Sequence, residues 1–349
     1  MIGSCVSLFS CRAAEARRVI GKMSESGIRI AFKSTGEDSQ LRLIAQMGAS
    51  DVVLDLPESI HGQLWTLEGL TAMRRQAETH GLRLSVLEGL GPPPSNRIRL
   101  GLEGRDEDLE IYCANIKNMG AAGIPVLCYN WIPVFNWMRT AFDIPTRAGA
   151  LATGYDHEIM MQQPLTEFGE VSEKRLWEAL EYFLRAVIPV AEEAGVKLAM
   201  HPSDPPISPI RGLSQIMTCP SHFQRLLDFD PSPANGITFC QGCFSEMGED
   251  VPACIRRFGA QKKIFFVHFR DVQGSREKFV ETFHDVGQTD MYEAMKAYYD
   301  IAFDGPMRPD HAPTMEGESN SSPGYAVMGR LFAVGYMKGL MEGIEKLPR

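Results

Sequence analysis

No apolar run in this 349-residue chain is long enough to cross a bilayer, which excludes a helical membrane protein. Basic charge is scarce as well: 35 Lys and Arg stand against 44 Asp and Glu, a formal net charge of −9. With no basic excess to neutralise phosphates, nucleic-acid binding is not expected. The start, "MIGSCVSLFSCRAAEARR", lacks a positively charged leading segment, so it reads neither as a signal peptide nor, at Cys11, as a lipoprotein site. The eight cysteines are scattered, with Cys113 and Cys128 in apolar surroundings. That excludes a disulfide scaffold and favours reduced thiols in a cytoplasmic setting. No glycine-rich phosphate fingerprint follows the first apolar run, so no dinucleotide site is expected.

What is present is a recurring strand-and-helix rhythm. Short apolar runs fall at 28–33, 51–55, 82–88, 123–130, 196–201, 236–240 and 264–269, with a weaker eighth at 307–310. Segments of helical periodicity separate them, among them "LWTLEGLTAMRRQAETH" and "EKRLWEALEYFLRAVIPVAEEAG", and "YAVMGRLFAVGYMKGLMEGI" closes the pattern. Strands alternating with helices imply parallel strands joined by right-handed crossovers. Eight units predict an α/β fold of the (β/α)8 TIM-barrel type, a single domain over 28–349 preceded by an extension, 1–27.

Loop lengths support closure. Segments entering the strands are tight, such as "SESG", "GAS" and "THG", whereas those leaving them are long, such as "GLGPPPSNRIRLGLEGRD" and "HAPTMEGESNSSPG". Elaboration of one face places the chemistry at the carboxyl ends of the strands. Between the fourth strand and the next helix, 131–172 reads as a long irregular segment, with Trp131, Phe135 and Trp137, suited to a lid or a subunit contact.

"IFFVHFRDV" (264–272) poses a physical problem, because an apolar run that reads as buried ends in His268, Arg270 and Asp271, which are costly to bury unpaired. The neighbouring strands pose it again: the fifth ends in His201, the sixth in Cys240 and the eighth in Asp310. Singly, each has an ordinary explanation. A strand-end histidine is usually hydrogen-bonded, a lone cysteine is a small buried hydrophobe, and an aspartate caps a helix. Jointly, at matching places on successive strands, they make a divalent-metal site of two imidazoles, a thiolate and a carboxylate. His80 reads as a helix-end cation, His222 and His284 as exposed, and "CQGC" (240–243) as a weak redox-like spacing.

The landmarks "CYNWIPVFNWMRT", "MHPSDPP", "TFC", "VHFRDV", "RPDH" and "SPGYAVMGRL…GYMKGL", in that order, resemble the mannonate dehydratase family. The resemblance covers most of the chain beyond residue 50. It implies a xylose-isomerase-like TIM barrel that dehydrates D-mannonate to 2-keto-3-deoxy-D-gluconate with a divalent metal. His201, Cys240, His268 and Asp310 fall on the family's metal ligands, and Arg270, His311 and Tyr325 on its catalytic and substrate-binding positions. Asn130 and Ser203 join Arg270 as expected substrate contacts, and a homo-oligomer is expected. The donor set alone suggests Zn2+, the resemblance Mn2+, with Fe2+ also compatible.

The reaction accounts for these residue types. Removing a proton beside a carboxylate builds an enediolate dianion, which needs a cation, a base for the C2 proton and an acid for the departing C3 hydroxyl. Arg270 is expected to clamp the carboxylate, and His311 and Tyr325 to carry protons, with the base unassigned between them. The chain departs from the family pattern in its leading residues, in "EGLGPPPSNR", which lacks the family's histidine, in "CQGCFSEMGED" and in "HAPTM". These departures leave open another aldonate substrate, an isomerase or epimerase of the same fold, and a non-catalytic sugar-acid sensor.

Overall fold

The computed structural model describes residues 27–55, 63–88 and 95–346. Almost all of the expected extension, 1–27, therefore lies outside the described residues, as does most of "EGLGPPPSNR". Twelve strands are described: β1 (Arg29–Ser34), β2 (Asp51–Leu54), β3 (Arg83–Leu87), β4 (Val126–Asn130), β5 (Ala141–Pro145), β6 (Leu151–Asp156), β7 (Lys197–His201), β8 (Asn235–Cys240), β9 (Ile264–Phe269), β10 (Val272–Ser275), β11 (Lys278–Glu281) and β12 (Pro306–Pro309). Eight of them close a parallel barrel in the order β1-β12-β9-β8-β7-β4-β3-β2, and these are the eight apolar runs. The fold is an α/β TIM barrel, as the alternation of runs predicted.

Side-chain alternation along each strand sorts the residues. Val267 and Phe269 point out into the core shared with the helices, while Phe266 joins Ala31, Val53, Val86, Val126, Cys128 and Ala199 inside the barrel. Phe265 is inside as well, because the pairing of β8 with β9 shifts by one residue between Ile237 and Thr238. Gly236 makes this possible, since a Cβ there would overlap the Phe265 ring. Two aromatic rings thus plug the barrel below His268. The outer ring follows helical periodicity: Glu173–Ala194 buries Leu176, Leu180, Phe183, Leu184, Val187 and Ala191 at spacings of three and four. Ser172 caps its start by accepting from Arg175 N, and Gly195, at φ 69°, ends it.

One expectation is revised. The segment 131–172, read as irregular, contains β5 and β6, which pair with β10 and β11 in a four-stranded antiparallel sheet ordered β10-β11-β6-β5. This sheet stands at the carboxyl ends of the barrel strands, immediately beyond β4 and β9. Its central pairing joins Gly154–Asp156 to Lys278–Val280, more than 120 residues apart, and β5 is largely exposed, so neither strand carries a local signature.

Candidate active site

At the carboxyl end of the barrel the inward positions change from apolar to ionisable one residue pair beyond the plug. A cavity of about 530 Å³ opens there, lined by Lys33, Asp55, Glu88, Asn130, Trp137, His201, Asp204, His268, Arg308, Asp310, His311, Tyr325 and Arg330, among others. That volume is ordinary for a small-molecule site.

Three of the expected metal ligands, His201, His268 and Asp310, line this cavity, and Cys240 lies buried against them. His201 Nε2 lies 3.0 Å from His268 Nδ1, His268 Nδ1 lies 3.6 Å from Asp310 Oδ2, and Cys240 Sγ lies 3.8 Å from Asp310 Oδ2. Separations of this size are the edges expected around one ion with bonds of about 2.0–2.3 Å. Both imidazoles are oriented from behind. His201 Nδ1 lies 2.8 Å from the Pro202 carbonyl, and His268 Nε2 lies 3.3 Å from Glu88 Oε1, so each ring turns its other nitrogen to the cluster. Carbonyl and carboxylate partners behind the rings are how metal-binding histidines are usually held. Burial disfavours a thiolate at Cys240, yet the hydrogen bond from Cys243 and the charge of Arg270 outweigh it and hold that thiol well below its usual range. Cys243 itself is pushed well up by burial, so it remains the thiol donor of the pair.

Buried charged groups pack behind these residues. Arg139 and Arg270, fully buried, face four carboxylates: Asp204, Glu246, Glu281 and Asp310. Arg308 joins them at Asp310 Oδ1, 2.6 Å away, and burial pushes the Glu246 carboxyl well up, toward its neutral form. Donor chemistry and spacing suit a divalent ion.

Two expectations about substrate contacts are corrected. Arg270 does not reach the cavity. Its Nε donates to Asp310 Oδ2 at 3.0 Å, Nη1 to Glu246 Oε1 at 2.9 Å and Nη2 to Asp204 Oδ2 at 3.0 Å. Every face of its fork is taken, so it orients Asp310 and cannot clamp a carboxylate. Ser203 is buried too, with its hydroxyl donating to the Ile216 carbonyl at 2.6 Å. Asn130 does line the cavity, although its amide is tied to Asn136 Oδ1 and its oxygen accepts from Arg99, both at 2.6 Å. His284, read as exposed, is fully buried against the Phe269 carbonyl at 2.7 Å, and His222 is half-buried on the edge of Trp177. The lid reading of 131–172 gains one contact, since Trp137 lines the cavity and lies 4.9 Å from the His311 ring.

His311 and Tyr325 come together although fourteen residues separate them: His311 Nε2 lies 2.9 Å from Tyr325 Oη. Burial, offset in part by Lys33, pushes the Tyr325 hydroxyl up to about 12, so it carries its proton near neutrality. Several cavity residues escaped the sequence reading. Lys33, Asp55 and Glu88 lie at the ends of β1, β2 and β3, in the register that singled out His201 and Cys240, and the same argument applied to the first three strands finds them. Glu281, Arg139 and Asp204 lie outside the barrel strands and had no such signal. Arg308 pairs with Glu88, its Nε donating to Oε2 at 2.9 Å.

Comparison with known proteins is consistent along the chain. A family profile described as D-mannonate dehydratase matches residues 28–168 and 159–349. Mannonate dehydratase from Thermotoga petrophila is 35% identical over 361 aligned positions, covering 92% of this chain and 99% of the relative. Mannonate dehydratase 2 from Halalkalibacterium halodurans is 33% identical, covering 91% of this chain and all of the relative. The crystal structure of mannonate dehydratase from Streptococcus suis superposes with a TM-score of 0.85 at 33% identity, over 90% of this chain and 94% of that one. D-psicose 3-epimerase from Clostridium cellulolyticum H10, at 12% identity and a TM-score of 0.57 over 91% of this chain and 96% of that one, shares the barrel fold.

Proposed function

The chain belongs to the mannonate dehydratase family of hydro-lyases, and from that premise we propose that it removes water from D-mannonate to give 2-keto-3-deoxy-D-gluconate. The observation that carries this reading is the convergence of His201, Cys240, His268 and Asp310 beside the His311–Tyr325 pair at the carboxyl end of the barrel. His201, Cys240, His268 and Asp310 would hold the divalent ion. Bound there, it would supply positive charge to the carboxylate oxygens as electron density moves onto them.

The remaining steps fall to side chains. Arg270 fixes Asp310 and Glu88 fixes His268, so the donors need no reorganisation. Tyr325 Oη and His311 Nε2 share one hydrogen at the cavity wall. The proton leaving C2 and the proton given to the departing C3 hydroxyl can pass through that pair. Lys33, Asp55 and Glu88 on the first three strands present charged groups to the hydroxyls of a polar substrate. Trp137 covers His311 and limits water at the reacting carbons.

The ion proposed is Mn2+, on family grounds, against Zn2+ on donor chemistry. Metal analysis of protein purified without added metal decides between them. Incubating the metal-loaded protein with D-mannonate and related aldonates, and detecting 2-keto product, tests the reaction. Turnover of ketoses with no dehydration would favour an isomerase, and binding of mannonate with no product a sensor. A homo-oligomer is part of the proposal, checked by sedimentation.

A further inference from the structure

His311 is held from both sides. While Nε2 meets Tyr325, Nδ1 lies 2.7 Å from Glu281 Oε1. That oxygen also accepts from Arg139 Nη2 at 2.6 Å, and the second oxygen, Oε2, accepts from Thr153 Oγ1. A carboxylate surrounded by donors can only accept, so Nδ1 carries a hydrogen toward Glu281, while Nε2 faces Tyr325 Oη and, at 3.5 Å, Asp310 Oδ1. All three groups that fix this arrangement come from outside the barrel strands. Arg139 leads into β5, Thr153 lies on β6 and Glu281 ends β11. Arg139 reaches the proposed metal ligands through Asp204 and Arg270, and Glu281 reaches them through Arg270 and through His311, whose Nε2 lies 3.5 Å from Asp310 Oδ1.

We infer that Glu281 is a positioning residue for the dehydration: the four-stranded sheet holds its carboxylate behind His311 and thereby sets the tautomer and ring plane of the proton carrier. The logic is that of any base whose second nitrogen is held by a carboxylate. The inference rests on the role given to His311 and Tyr325 above. The competing explanation is that Glu281 only balances the buried charges of Arg139 and Arg270, at 2.6 and 3.3 Å.

Two substitutions separate these roles. Glu281→Asp keeps the charge for the arginines but withdraws the oxygen from Nδ1, and Glu281→Gln keeps the shape but can present an amide hydrogen to Nδ1. Each is made alone and together with His311→Asn, and the metal-loaded enzyme is assayed on D-mannonate. A fall in kcat of about 100-fold or more, with KM held within about threefold, is expected for the single variants. In the His311→Asn background the further loss should shrink to less than about threefold, because a residue acting through His311 has nothing left to act on. In protein carrying 15N-histidine, the signal lost in His311→Asn should report hydrogen on Nδ1.

A folded variant keeping more than about a third of kcat, an undiminished loss in the His311→Asn background, or a bare Nδ1 would each overturn the inference. Failure of both Glu281 variants to fold would overturn it too, by showing a charge-balancing role. If wild-type enzyme makes no 2-keto acid, the dehydratase reading fails and takes this inference with it. If wild type turns over and His311→Asn is impaired while the Glu281 variants are not, the positioning role alone fails.

Discussion

Arg270 Nε donates to Asp310 Oδ2 at 3.0 Å, joining a fully buried guanidinium to a carboxylate on the cavity wall. The same guanidinium binds Asp204 and Glu246, so one residue ties the end of β9 to the loop after β7 and to the short helix Gln241–Glu246. Replacing it by Met leaves Glu246 without its guanidinium partner and removes one of two from Asp204 and from Asp310. We expect Arg270→Met to lose about 3–5 kcal/mol, the usual result of breaking a buried pair on one side. Urea unfolding measures this, and a loss below 1 kcal/mol would refute the account.

Metal binding and proton transfer should separate by mutation. His268→Ala removes a donor from the cluster and should abolish both bound metal and turnover. Tyr325→Phe leaves the four donors untouched and should keep the metal while turnover falls about 10²–10⁴-fold. Metal analysis and product assays on both proteins check the split, and either variant with full activity contradicts these roles.

Gly242 offers a test in which the sign of the effect decides. Within a helix, alanine is ordinarily the better residue by about 0.5–1 kcal/mol. Here a Cβ would overlap the Arg270 guanidinium, which has no room to retreat. Gly242→Ala should therefore destabilise by about 1–3 kcal/mol, the range for overpacked cores. A stabilised protein in thermal melts would show that Arg270 is free to move.

Stability should fall in mild acid because of His284. Burial is the main cause that lowers its folded-state value to about 4, below the usual histidine value of 6.5. Between those values the unfolded chain binds a proton and the folded one does not. The contribution is complete above pH 6.5 and is lost as pH drops through the window to 4, about 3 kcal/mol in all. His284→Gln should flatten that part of the stability–pH curve, and an unchanged slope would assign the acid sensitivity elsewhere.

Legibility differed between the two halves of the site. His201, Cys240, His268 and Asp310 could be picked out because each follows an apolar run, and eight such runs imply a closed barrel whose strand ends meet. Arg270 follows β9 as visibly as His268 precedes it in the run, yet its role was misread. Position along a strand does not reveal which partners saturate a guanidinium. His284 was misjudged for a related reason: its polar sequence neighbours belong to a loop that folds inward over Phe269.

What the sequence determined by itself was the barrel and the ionisable groups that four successive strands bring together at one end of it. Those follow from hydrophobic periodicity and loop length, which are local quantities. Tertiary structure alone decided that Glu281, Arg139 and Thr153 stand behind His311, and that Arg270 serves Asp310. These contacts join strands and loops between 30 and 142 residues apart, through hydrogen bonds whose direction no local pattern encodes.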